Sequence, residues 1–177
     1  MPPKVDPHVG DFCARVVSGS EPKYVSVIPR AHCPPNECFE NVRLLVEREG
    51  GRCVYGWSIW EWPNVMIEAE FHCVWEFEPG RMNDVTSRTD GERTILFLPD
   101  PNLTYEGFQV DNVRFALRDD PLIKEFIGLA EKKHEIFNRG ENKFKNDEIK
   151  VDRYELEPVL LRLAEVVKLI QKQKKRG

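Results

Sequence analysis

A cysteine, a histidine and an aspartate occur here in the order and surroundings that a thiol nucleophile needs. Cys38 follows the loop "AHCPPNE" and opens the segment "CFENVRLLVEREGG". Its apolar positions Cys38, Val42, Leu45 and Val46 recur at helical spacing, and Gly50-Gly51 ends it. Asn36 sits where an N-cap is expected. A thiol in the first turn of a helix lies beside unpaired backbone N–H groups and the positive end of the dipole, and both favour the reactive thiolate. His72 stands inside "EAEFHCVWEF", and Asp84 follows across the Pro79-Gly80 turn signal. An imidazole can take the proton of the thiol, and a carboxylate on the next strand can fix its tautomer.

Strand alternation sorts the residues around His72. Ile67, Ala69, Phe71, Cys73, Trp75 and Phe77 share one face, read as the core. Glu68, Glu70, His72 and Val74 share the other, read as a polar face on which a packing histidine is out of place. The side taken by Asp84 depends on the hairpin. A three-residue loop, Glu78-Pro79-Gly80, pairs Val74 with Asp84 and sets His72 diagonally beside it, whereas a two-residue Pro79-Gly80 loop turns Asp84 to the core face. Glu70, two residues from His72 on its own face, is the fallback orienting group.

Other residues carry weaker signals. Cys33, Cys38 and His72, with Glu68 or Glu70, make a zinc site conceivable, but no second Cys/His pair has ligand spacing, and no metal or other cofactor is expected. Trp57, Trp60, Trp62 and Trp75 read first as packing of a sheet, and Trp60 and Trp62 second as the wall of a substrate groove.

The elements that would position these groups follow from pattern. "KYVSVIPR", "RCVYGWSIWEW", "NVMIEAEFHCVWEF", "GRMNDVTSR" and "RTILFLPDP" read as strands. A short helix is expected at "GDFCARVVSG", and two amphipathic helices at "PLIKEFIGLAEKKHEIFNRG" and "DRYELEPVLLRLAEVVKLIQKQKK". The connector "ENKFKNDEIKV" between them reads as mobile, and the basic end "KLIQKQKKRG" as a solvated helix terminus. The expectation is an α+β domain in which helices pack on an antiparallel sheet of about four strands. It forms a single domain over residues 1–177, with a flexible arm (1–10), a catalytic-like core (11–118) and a C-terminal helical part (119–177). Its 177 residues and 41% apolar content supply one ordinary core.

A net charge of −4 with scattered basic residues opposes nucleic-acid binding. No stretch reads as a membrane span or signal peptide, so a soluble, cytoplasmic chain is expected, and the five cysteines are expected to be reduced.

The order of Cys38 at a helix start, His72 on a strand and Asp84 on the next, with "HCVWEFEPGRMNDVT" around the last two, resembles the transglutaminase-like branch of the papain-like cysteine hydrolases. The resemblance covers residues 36 to 86. It implies a papain-like core, with Cys38 as nucleophile, His72 as base and Asp84 as orienting acid, acting on an amide bond of a peptide or protein substrate. Where that family places a glycine and an amide before the cysteine, this chain has Asn36-Glu37, leaving the Cys38 backbone N–H and Asn36 as oxyanion donors. The alternatives are a non-catalytic protein-binding module and a zinc-binding protein.

Overall fold

The structure is a computed structural model describing residues 1–89, 91–108, 110–144 and 149–174. The centre of the expected mobile connector and the last three residues of the basic end lie outside the described residues. In chain order the elements are α1 (Pro7–Val16), β1 (Lys23–Val27), α2 (Cys38–Glu49), β2 (Arg52–Trp62), β3 (Met66–Glu78), β4 (Arg81–Asp84), β5 (Thr94–Pro99), β6 (Val113–Ala116), α3 (Pro121–Phe137) and α4 (Arg153–Lys174). A 3-10 turn, Gly140–Phe144, follows α3. Among the described residues no helix is long and apolar enough to cross a membrane.

The chain divides into two compact units, one of Met1–Glu61 and Ile67–Tyr105, the other of Trp62–Met66 and Glu106–Gly177. In the first, five strands run in the order β2-β5-β1-β4-β3, and β3 pairs back onto β2, so the sheet closes into a barrel. The β1–β5, β2–β5 and β3–β4 ladders are antiparallel, but β1 and β4 run parallel, Val27 opposite Asp84. This corrects the expected open antiparallel sheet of about four strands: the architecture is a closed, mixed, five-stranded barrel with a sixth strand, β6, and four helices. Closure follows from strand length. At 11 and 13 residues, β2 and β3 are long enough to twist and bend away from one another while pairing with β5 and β4 on their other edges.

Closure also corrects the two-faced reading of β3. Val25, Val74, Ile95 and Phe97 form one buried cluster, completed by Val27, Val54 and Met82, so all five strands line a common interior. The face of His72 and Val74 is therefore the inside of the barrel, and His72 is buried. The opposite face is buried too, because Phe39 of α2 covers it, stacking on Tyr105 (centroids 4.1 Å apart) and meeting Phe71 (4.7 Å). Each large side chain so buried contributes roughly 1.5–3 kcal/mol. Alternation sorted the side chains correctly but could not say that both sides were covered.

Gly56 marks a close approach within the barrel. A Cβ there would lie 2.2 Å from the Leu98 carbonyl oxygen and 2.8 Å from the Phe97 ring, so only glycine lets β2 and β5 meet over that ring.

The second unit is built on Val65, Met66, Ile123, Val166 and Ile170. Asp120 caps α3 by accepting from the Leu122 N–H at 2.9 Å, with Pro121 in the first turn. Arg162 of α4 grips Glu125 of α3 through two hydrogen bonds, 2.6 and 3.0 Å.

Candidate functional site

Helix α2 presents Cys38 as its first residue. Its buried positions are Cys38, Phe39, Asn41, Val42 and Leu45, an apolar stripe with one amide inside it. The N-cap is Glu37, not Asn36, and no side chain caps the helix. Asn36 instead adopts a left-handed conformation (φ 65°), which asparagine tolerates better than most residues, and it is exposed. The backbone N–H groups of the first turn are thus left without a capping side chain.

The β3–β4 hairpin combines both registers that the sequence left open. Glu78 pairs with Arg81 across the two-residue Pro79-Gly80 turn, and Gly80 takes a positive φ of 78°. A bulge between Glu76 and Glu78 then shifts the ladder by one, so that Glu76 faces Met82 and Trp75 faces Asn83. Continuing that register sets Val74 opposite Asp84, which brings Asp84 to the face of His72. The His72 Nε2 lies 3.0 Å from Asp84 Oδ2.

Asp84 is fully buried, and its second oxygen accepts the Thr86 backbone N–H at 3.0 Å. Cys38, one turn before the Asn41 side chain that reaches Thr86, raises the proton affinity of the same imidazole. Burial opposes a charged imidazole and is the largest single influence. The Cys38 charge and the hydrogen bonds from His72 to Asp84 and Cys38 together outweigh it, and His72 is pushed up to about 10. His72 and Asp84 are thus in hydrogen-bond contact with Cys38 acting on the ring, and Cys38 is 6% and His72 5% exposed.

Two residues not singled out from sequence complete the cluster. Asn41, one helical turn after Cys38, donates its amide to the Pro34 carbonyl (2.8 Å) and to Thr86 Oγ1 (3.1 Å). It ties the loop before α2 to the segment after β4, so that the carriers of Cys38 and Asp84 are held by one side chain. The available signal was a polar residue within the buried stripe of a helix, which must be hydrogen-bonded to be tolerated there.

Glu70 does not orient His72. Its carboxylate accepts the Trp60 indole N–H at 2.9 Å, and the Arg88 guanidinium lies 4.5 Å over the Trp60 ring. Trp62 belongs to the second unit, edge-on to Phe126 with centroids 6.1 Å apart. Among the described residues, no group of three or more His, Cys, Asp or Glu side chains is arranged to hold a metal ion, so Cys33 does not join Cys38 and His72 as ligands. A shallow depression of about 570 Å³, lined by residues including Arg30, His32, Cys33, Pro34 and Ser87, borders the segments that carry Cys38 and Asp84. No protein family, no curated protein and no solved structure matches the chain.

Proposed function

We propose that the chain is a cysteine-dependent hydrolase or acyl transferase acting on an amide or peptide bond of a peptide or protein substrate. The observation that carries this reading is the buried imidazole of His72, held by Asp84 at one nitrogen and raised in proton affinity by Cys38. A buried imidazole held by a carboxylate and set near a thiol can take the thiol proton and return it to a leaving group.

In the proposed reaction the Cys38 sulfur attacks the substrate carbonyl carbon, and the C–S bond forms. The resulting oxyanion is received by the Cys38 backbone N–H in the uncapped first turn of α2. His72 gives its proton to the departing amine as the C–N bond breaks, leaving a thioester on Cys38 and a neutral imidazole. That imidazole takes a proton from an incoming water or amine, whose oxygen or nitrogen bonds the acyl carbon as the C–S bond breaks; the acyl product leaves, and the Cys38 sulfur is freed beside the protonated ring. Asp84 keeps the ring from turning through both steps.

The test is site-resolved alkylation with iodoacetamide at pH 6, read for each cysteine by mass spectrometry. Cys38 is expected to react at least tenfold faster than buried Cys13 and Cys33, and His72→Ala to slow Cys38 by about tenfold while leaving Cys53 unchanged. A Cys38 that stays unlabelled, or whose rate ignores His72, overturns the reading and leaves the chain as a binding module.

A further inference from the structure

A second pair of thiols lies in the first unit, its buried member near enough to Cys38 to feel its charge. Cys53 on β2 is partly exposed, Cys73 on β3 is fully buried, and the two strands pair. Tyr55 and Phe71, each two residues along its strand from one of these cysteines, have ring centroids 6.5 Å apart. By strand alternation Cys53 and Cys73 project on that same face. In that position Cys53 and Cys73 influence each other's proton affinity, and Tyr55 acts on Cys53 as well. Cys53 also lines a cavity of about 680 Å³ bounded by Lys23, Arg52, Tyr55, Pro99 and Asp100, among others.

We propose that Cys53 and Cys73 are a dithiol that a small hydroperoxide, entering through this cavity, closes to a disulfide. The exposed partner faces the oxidant and the buried one waits behind it. The hydrogen bond from Cys73, which outweighs the opposing effect of burial, together with that from Tyr55, brings Cys53 down to about 7. Burial holds Cys73 well above the ordinary thiol value, so the two sulfurs take unequal roles.

In the first step the Cys53 thiolate attacks one peroxide oxygen and the O–O bond breaks. Sulfur gives two electrons, leaving a sulfenic acid on Cys53 and an alkoxide or hydroxide that takes up a proton. In the second step the Cys73 sulfur attacks the Cys53 sulfur, the S–S bond forms, and hydroxide leaves with the Cys73 proton as water. None of this requires chemistry at Cys38.

The experiment exposes the full chain to a small excess of hydrogen peroxide at pH 7, then counts free thiols and maps disulfides in non-reduced digests. The expected result is the loss of two thiols per chain, a Cys53–Cys73 linked peptide and full reversal by dithiothreitol. Cys73→Ala is expected to leave Cys53 as a sulfenic acid trapped by dimedone. In untreated protein Cys53 should alkylate roughly tenfold faster at pH 7 than in the unfolded chain. A disulfide through any other cysteine, a Cys53 that stays reduced, or a wild-type sulfenic acid that never resolves would each overturn the proposal. The wild-type map decides the matter even where the Cys73 variant does not fold.

Discussion

Replacing Asp84 with asparagine probes the His72 pair directly. The carboxylate has no solvent exposure and accepts two N–H groups, from His72 at 3.0 Å and Thr86 at 3.0 Å. Asparagine can still accept from Thr86 through its one oxygen. Its amide then meets Nε2 donor to donor, unless the imidazole gives up that proton and its charge. Breaking a buried charged pair from one side removes about 3–5 kcal/mol, out of a total stability on the order of 5–15 kcal/mol.

For a chain of this length that predicts a melting temperature lower by roughly 6–20 °C at pH 7. The pH dependence follows from the direction of the His72 shift. Its folded value, about 10, lies above its unfolded value, 6.5. The stabilisation is therefore complete below about 6.5 and is lost as pH climbs through about 10. Thermal melts of wild type and Asp84→Asn from pH 6 to 10.5 should show a gap that is widest at the acidic end and narrows through the alkaline range. A gap under about 2 °C at pH 7, or one that does not change with pH, would refute the assignment of His72 as a held imidazolium.

Three further outcomes are expected. Gly56→Ala drives a methyl into the Leu98 carbonyl and the Phe97 ring, so urea unfolding should show a loss of at least about 2 kcal/mol; an unchanged midpoint would contradict the close approach of β2 and β5. Ser58 is fully buried inside the barrel and its Oγ has no hydrogen-bond partner among the described residues, so Ser58→Ala should be neutral or stabilising by about 1 kcal/mol. A clear destabilisation there would mean that the hydroxyl is paired. Asn41→Ala removes the amide that joins Pro34 to Thr86 and should lower stability by roughly 1–3 kcal/mol. It should also slow Cys38 alkylation, whereas a variant of wild-type stability and reactivity would show that this tie does not hold the site.

The strands of the first unit and both C-terminal helices were legible because their signals are local: β-branched and aromatic runs, a Pro-Gly turn, an Asp-Pro helix start. Cys38 at a helix start and His72 on a long strand were legible from local pattern, whereas the side taken by Asp84 stayed open. Closure was not legible. Whether β3 pairs a second time, with β2, depends on strand length and accumulated twist, and no residue in "IEAEFHCVWEF" announces it. For the same reason His72 was read as facing a polar exterior. The hairpin register was undecidable because the turn and the ladder disagree by one residue, a difference absorbed by the bulge at Phe77. Asn41 escaped notice because its partners, Pro34 and Thr86, come from two separate loops.

The parallel ladder between β1 and β4 also bears on the order of assembly. β1 is made early, yet both of its neighbours, β4 and β5, are synthesised only after α2, β2 and β3. It cannot pair while the nascent chain is short, and such distant pairings are slow to form. Asp84 ends the strand that makes the parallel contact, so the carboxylate that holds His72 is anchored by that seam as well as by the β3–β4 hairpin. A partly translated or partly unfolded chain would carry the cysteine at its helix start without a tuned histidine. The His72–Asp84 pair is thereby tied to the completion of β4.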